Sequence, residues 1–134
     1  MIVKYVPNHQ IAQIFSKVES FIKDGLDYSD DFTVDQAKMC LLNGSMDLFV
    51  VVDDDDLIHG VFVISTSNGA NDRTSIVVSA GGKGIANNAV FDQVCEMLRS
   101  AGVTRVQALA RESAARLYEQ VGFKKKSILT EKRL

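Results

Sequence analysis

A glycine-rich turn between a strand and a helix is the feature that most constrains how this chain can fold. The turn is Gly81-Gly82-Lys83-Gly84. Before it, Thr74–Ser79 predicts a strand, and after it a predicted second strand covers Val103–Ala110. A helix between them is indicated by the apolar stripe Ala86, Val90, Val94, Met97, Leu98 and Ala101. A strand–helix–strand crossover makes its two strands parallel, so part of the sheet must be parallel.

The rest of the chain predicts further helices and antiparallel strands. Thr33 and Gln36 form a capping box for a helix, and the turn-forming Asp53–Asp56 joins two strands as a hairpin. The other predicted elements are a strand at Ile2–Tyr5, a helix from Ile11 that Gly25 ends, a helix from Thr33 to Leu42, strands at Leu48–Val52 and Ile58–Ile64, a loop at Ser65–Asn71, a helix at Glu112–Val121 and a final strand at Ile128–Leu134. We therefore expect an α/β fold with a mixed, mostly antiparallel sheet and about four helices. The 134 residues fit one domain, 1–134, and no linker divides them.

The net charge of -2 hides a strongly dipolar chain. Residues 1–72 carry 12 acidic and 4 basic side chains, whereas residues 73–134 carry 5 acidic and 11 basic ones. The basic half is suited to an anionic ligand. Neutralisation of one half by the other across the fold would explain the same split.

Several classes of protein are excluded by the sequence. The longest strongly apolar stretch, Leu48–Val52, is far shorter than the roughly 20 residues of a membrane span, and the N-terminus has no signal for export. We expect a cytoplasmic protein with Cys40 and Cys95 as reduced thiols. The two histidines are too few for a zinc site, so no metal is expected. No aromatic residues alternate with Lys124-Lys125-Lys126, which argues against nucleic acid as a partner.

The glycine-rich turn predicts an anion-binding loop. Glycines allow successive backbone N–H groups to point the same way, and the start of a helix adds partial positive charge. The spacing is neither that of a Walker loop nor G-x-G-x-x-G, which disfavours a nucleotide triphosphate or dinucleotide enzyme. Taken alone, the turn is equally typical of an ordinary strand–helix connection.

Two segments together resemble the GNAT superfamily of acyl-CoA-dependent N-acyltransferases. The first runs from Ile76 to Ala86 and is similar to that family's strand, pyrophosphate loop and helix start. The second runs from Arg111 to Phe123, in which an alanine precedes Leu-Tyr-Glu and Gly-Phe closes the run. The hairpin LFVVVDDDDLIHGVFVIS resembles the family's second and third strands, so the resemblance covers nearly the whole chain. Short GNAT-like chains also occur in bacteriophages, and this chain resembles those too.

The resemblance implies a central parallel strand pair that splays apart to admit acetyl-CoA. Tyr118 matches the tyrosine that commonly protonates the leaving thiolate, and its ordinary pKa of roughly 10 suits that role. The residues implied to bind the cofactor are Val77, Val78 and Ser79 for the pantetheine arm, Gly82, Lys83, Gly84, Ile85 and Ala86 for the pyrophosphate, and Arg111 and Ala114 from the second segment.

Three positions depart from the family pattern. Gly81 stands where the family has arginine or glutamine, and Arg111 stands where it often has asparagine. The strand Thr74–Ser79 lacks the acid that often acts as the base. Asp53, His59 and Glu112 are the other candidate bases, although a turn aspartate, a packed histidine and a helix-start acid all have ordinary structural explanations.

The expected activity is transfer of an acetyl group from acetyl-CoA to a small or peptidic amine by direct attack. The acids Asp27, Asp30, Asp31 and Asp35 are expected to border the acceptor and to favour a cation. The alternative is a catalytically inactive, structural or virion-associated GNAT-like protein, since a fold does not dictate a function; an acyl-CoA sensor without turnover is a third. An exposed final strand at Ile128–Leu134 could pair with a second copy as a homodimer.

Overall fold

The chain forms one mixed sheet with helices on both faces. A computed structural model describes residues 1–27 and 31–134, and within them there are five strands and four α-helices. In chain order these are β1 (Ile2–Val6), α1 (Ile11–Leu26), α2 (Val34–Leu42), β2 (Asp47–Val52), β3 (Ile58–Asn68), β4 (Arg73–Gly82), α3 (Asn88–Ser100), β5 (Arg105–Ala108) and α4 (Glu112–Gln120). A short 3₁₀ turn at Asn8–Gln10 precedes α1.

The strands lie in the sheet in the order β1-β2-β3-β4-β5. The first four pair as antiparallel neighbours, and β4 pairs with β5 in parallel. This arrangement confirms the predicted mixed sheet and the crossover through α3. No helix in the described part of the chain is long and apolar enough to cross a membrane.

Both faces of the sheet are covered, and every residue of Leu48–Val52 is accordingly buried. Alternate residues of β2 belong to two separate apolar clusters. Leu48 and Val50 belong to the cluster that holds the buried side chains of α1, such as Val18. Phe49 and Val51 belong to the cluster that holds the buried side chains of α3. The sheet therefore lies between a layer that contains α1 and a layer that contains α3.

The capping box is confirmed, and the end predicted for the first helix is wrong by one residue. Thr33 Oγ1 accepts the backbone N–H of Gln36, whose side chain in turn accepts the N–H of Thr33. Helix α1 passes through Gly25 and ends at Leu26, so this glycine does not terminate the helix. Its role is in packing against β4, described below.

Three predicted boundaries are corrected by pairing within the sheet. The segment predicted as the loop Ser65–Asn71 is strand as far as Asn68, because Asn68 pairs with Arg73. The glycine-rich turn does not open a helix directly: β4 continues to Gly82, which pairs with Gly60, and α3 begins only at Asn88. Strand β5 is shorter than the predicted Val103–Ala110.

The prediction of a final strand at Ile128–Leu134 is wrong. No residue after α4 has regular secondary structure, and residues 124–134 are exposed. Ile128 is 90% and Leu129 73% exposed, so this segment buries too little apolar surface to offset the entropy cost of ordering it. Consequently β5 is the edge strand of the described sheet, and the parallel pair lies at the edge instead of the centre.

Candidate functional site

A β-bulge and a separation of two strands coincide at Val78. Val77 and Ser79 pair with consecutive residues of β3, Ile64 and Val63, so Val78 is the additional residue of a bulge. On the opposite side, the pairing of β4 with β5 ends at Val77. Within the described residues, β4 therefore continues beyond β5, and its backbone edge from Val78 onward can accept another extended molecule.

Helix α1 packs directly on the backbone of β4 next to this bulge. The hydroxyl of Ser79 is buried and donates to the carbonyl of Ile22 at 3.1 Å. A Cβ on Gly25 would overlap Ser79 Oγ, and a Cβ on Gly81 would overlap the carbonyl oxygen of Phe21. The contact explains why glycine occupies position 81: an arginine or glutamine there would push α1 away from β4.

The loop between β4 and α3 is fixed by glycines and by an asparagine cap. Gly82 and Gly84 have φ angles of 135° and 72°, which other residues rarely adopt. The side chain of Asn87 accepts an N–H from the first turn of α3 at 3.0 Å and donates to the carbonyl of Gly84 at 2.8 Å. The backbone N–H of Lys83 already donates to the carbonyl of His59, at 3.3 Å, whereas its side chain is exposed.

A cavity of about 490 Å³ lies between the last turns of α1, the start of β3 and the end of β4. We call it the α1–β4 cavity. Its lining combines an apolar wall with one carboxylate, one imidazole and one ammonium group. The lining residues are Phe21, Asp24, Ile58, His59, Ala80, Gly81, Gly82 and Lys83.

An imidazole–carboxylate pair borders this cavity. His59 Nε2 lies 2.7 Å from Asp53 Oδ2, and both side chains are half-buried. The other carboxylate oxygen, Oδ1, accepts the backbone N–H groups of Asp55 and Leu57 at 2.8 and 3.1 Å. The hydrogen bond from His59, followed by the backbone bond from Leu57, lowers the pKa of Asp53. Asp53 therefore both closes the β2–β3 turn and orients the imidazole.

On the opposite face of the sheet, Tyr118 is held in an aromatic cluster. Its ring centroid lies 5.9 Å from that of Phe91 and 4.9 Å from that of Phe123. Burial raises the pKa of the Tyr118 phenol. The phenol therefore remains protonated at neutral pH and can donate a proton.

Comparison with solved structures identifies the fold. The chain superposes on an aminoglycoside acetyltransferase from an uncultured soil metagenomic sample with a TM-score of 0.72, at 9% identity, covering 99% of this chain and 95% of that one. It superposes on ribosomal-protein-alanine N-acetyltransferase from Brucella melitensis biovar Abortus with a TM-score of 0.70, at 13% identity and with 100% of both chains covered. The chain has an acetyltransferase fold. No protein-family profile and no curated protein matches the sequence.

The predicted fold, a mixed and mostly antiparallel sheet with one parallel pair and four helices in the described residues, is confirmed, except that the parallel pair lies at the edge of the sheet. It brings several of the predicted cofactor residues together. Val77 and Ile85 are buried in the same apolar cluster against which Tyr118 packs. Ala114 is half-buried on α4, and Arg111 occupies the N-cap position of this helix, where its side chain makes no capping hydrogen bond. Their roles toward a cofactor stay predictions.

The other candidate bases differ in their surroundings. Glu112 lies at the start of α4 and accepts a hydrogen bond from Lys125 at 3.4 Å. An exposed acid in the first turn of a helix, paired in this way, is explained by the helix dipole and by ion pairing. Of the acids expected near the acceptor, Asp27, Asp31 and Asp35 are exposed around the ends of α1 and α2, and Asp30 lies outside the described residues.

The sequence did not single out Phe21 or Asp24 as site residues. Phe21 is an apolar residue of a predicted amphipathic helix, and no motif marks Asp24. The signal that could have found them is the presence of Gly25 and Gly81 on two elements that pack together. Two such glycines indicate a close approach of the two backbones. The residues beside that approach border the space that remains.

Proposed function

We propose that this protein transfers an acetyl group from acetyl-CoA to an amine by direct attack. The observation that carries the proposal is the coincidence, at Val78, of the bulge with the end of β5 pairing. It leaves a strand edge free for the amide groups of a pantetheine arm in a chain with an acetyltransferase fold.

In this proposal the donor lies along β4 and the loop after it. Val78 and Ser79 hydrogen-bond the pantetheine arm through their backbones, which leaves the Ser79 hydroxyl on Ile22. Backbone N–H groups from Gly84 to Ala86 and the Lys83 ammonium contact the pyrophosphate. The contact from the Lys83 ammonium agrees with the hydrogen bonds of the loop. The backbone N–H of Lys83 already donates to a protein carbonyl, whereas its side chain is exposed and can contact the phosphates.

The reaction needs no covalent intermediate with the protein. The neutral amine attacks the thioester carbon, the C–N bond forms and the C–S bond breaks. The nitrogen then releases one proton, which replaces through solvent the proton that Tyr118 gives to the thiolate. Holding the two reactants together, and polarising the carbonyl with a backbone N–H of β4, supplies much of the rate. Tyr118, protonated because burial raises its pKa, donates a proton to the leaving thiolate.

The acceptor is a small or peptidic amine, entering beside α1 and α2. Asp27, Asp31 and Asp35 are exposed there and favour a cation. The aminoglycoside acetyltransferase with the same fold acts, by its name, on aminoglycosides, which is compatible with an amine acceptor. We place the activity in the cytoplasm. A homodimer stays a prediction, without the final strand at Ile128–Leu134 through which it was expected.

Calorimetric titration with acetyl-CoA, followed by thiol release in the presence of an amine, tests the proposal. Tyr118→Phe keeps the aromatic packing and should lower thiol release by about a hundredfold, with the affinity for acetyl-CoA unchanged. Tyr5→Phe, at an exposed tyrosine on β1, is the matched control. No binding at millimolar acetyl-CoA would refute the proposal and favour a scaffold without activity. Unchanged release by Tyr118→Phe would remove this tyrosine from the mechanism.

A further inference from the structure

The α1–β4 cavity has the chemistry of a site for a second charged group on the acceptor. We propose that it binds a second cation of an elongated amine, whose first amine is the one acetylated, and that Asp24 is the residue that pairs with this cation. The proposal rests on the proposed function, because the reacting amine is placed by the donor on β4. It adds the class of acceptor: an amine with two positive charges separated by an apolar chain.

The electrostatics of the cavity favour a cation. Asp24 lies in the last turns of α1, where the helix macrodipole is negative, and a cation there is stabilised by both. Asp53 adds a second carboxylate behind His59. Because a carboxylate can only accept a hydrogen bond, Nε2 of His59 carries the hydrogen in its contact with Asp53. Lys83 is the opposing charge, and it lies on the loop assigned to the donor's phosphates.

The distance between the cavity and the bulge determines the length of the acceptor. The thioester is placed at Val78, where β4 leaves β5. The cavity is bordered by Ala80 and Gly81, two and three residues further along the strand. At about 3.3 Å per residue, the second cation lies roughly 7–10 Å from the reacting amine. Asp24 is an exposed residue that lines the cavity, and it precedes Gly25, which packs on Ser79 and Ala80 at this level of the strand.

The apolar part of the cavity suits the chain between the two charges. Phe21 and Ile58 both contribute to the lining, and both pack on the apolar cluster under α1. Methylene groups lying against them would be removed from water, which is favourable. A short diamine cannot span the distance, and a monoamine leaves Asp24 without a partner.

Acetylation rates with a matched set of amines test this proposal. Hexamethylenediamine should be acetylated with a kcat/KM about tenfold above that of hexylamine, because a hydrogen bond between the second ammonium and a carboxylate strengthens binding by about this factor. Ethylenediamine should show no such increase in kcat/KM, because it is too short to reach Asp24. Aminocaproate, in which a carboxylate replaces the second amine, should have the lowest kcat/KM of the set. The Asp24→Asn variant should reduce the ratio of diamine to monoamine to about one. Glu19→Gln, an exposed acid on the same helix outside the cavity, should retain it.

An NMR titration without acetyl-CoA separates this proposal from the proposed function. The chain has two histidines, so the imidazole signals of His59 and His9 can be assigned, and His9 is remote from the cavity in the turn before α1. Hexamethylenediamine should shift the His59 signals in the native protein and not in Asp24→Asn, whereas those of His9 stay unchanged. This result would support a cation site even in a protein without turnover. Acetylation that shows no diamine preference, or His59 signals that do not move, would overturn the proposal.

Discussion

Replacing Gly25 by alanine tests the close packing of α1 on β4, which positions the bulge. In a helix, alanine is preferred to glycine by about 1 kcal/mol, so helix propensity alone predicts a more stable protein. The structure predicts the opposite. A Cβ at this position would overlap Ser79 Oγ and lie 2.9 Å from the backbone nitrogen of Ala80. Ser79 must then rotate away from Ile22, or α1 must move off the sheet.

The expected loss follows from these contacts. The buried hydrogen bond from Ser79 to Ile22 is worth about 1 kcal/mol, and overpacking at a site bounded by backbone costs about 1–3 kcal/mol. The gain in helix propensity offsets about 1 kcal/mol of this. The free energy of unfolding should therefore fall by about 2 kcal/mol, which corresponds to a Tm lower by about 6 °C.

Urea unfolding followed by far-UV circular dichroism measures this difference. Ser16→Ala, at an exposed position of the same helix, is the control and should raise the free energy of unfolding by about 0.5 kcal/mol. If Gly25→Ala is as stable as the native protein or more stable, propensity determines the result, and the close approach of α1 to β4 is wrong.

Four further predictions concern the loop, the donor and the pH dependence of stability. Asn87→Ala removes the cap of α3 and should lower the free energy of unfolding by about 1 kcal/mol in urea. Lys83→Gln should weaken acetyl-CoA binding by about tenfold in calorimetry, whereas Lys17→Gln on α1 should not. Because the folded pKa of Tyr118 is raised, its contribution to stability is present below pH 10.0 and lost as the pH rises beyond it, a loss that Tyr118→Phe should abolish in alkaline unfolding curves. Because the folded pKa of Asp53 is lowered, its contribution is present above about 3.8 and lost as the pH falls further, and Asp53→Asn should lack this acid dependence.

The fold was predictable where local pattern and sheet topology agree. The helical stripe after the glycine-rich turn, with a strand on each side, requires a parallel pair, and the structure has it. The capping box at Thr33 involves only neighbouring residues, so its outcome could be read directly. The prediction of a final strand is wrong because it concerns a distant contact. Whether Ile128 and Leu129 form a strand depends on a partner strand, and no local signal specifies one.

The site was only partly predictable, because its parts depend on contacts between distant elements. The family-like segments mark residues whose places the fold explains. Tyr118 packs against the apolar cluster that holds the buried side chains of α3, and Val78 lies at the bulge of β4. In contrast, the α1–β4 cavity joins Asp24 to His59, 35 positions apart in the chain. Nothing in either segment indicates the other. Gly81 departs from the family pattern, and only the structure gives that departure a reason, which is the packing of α1 on β4.

Amide hydrogen exchange with and without acetyl-CoA tests the central claim most directly. If the splayed edge and the loop after β4 hold the donor, acetyl-CoA should slow exchange at Val78, Ser79 and the amides from Gly84 to Ala86. Exchange in β1, at the opposite edge of the sheet, should be unchanged. Protection that appears elsewhere, with none between Val78 and Ala86 at saturating acetyl-CoA, would contradict the account.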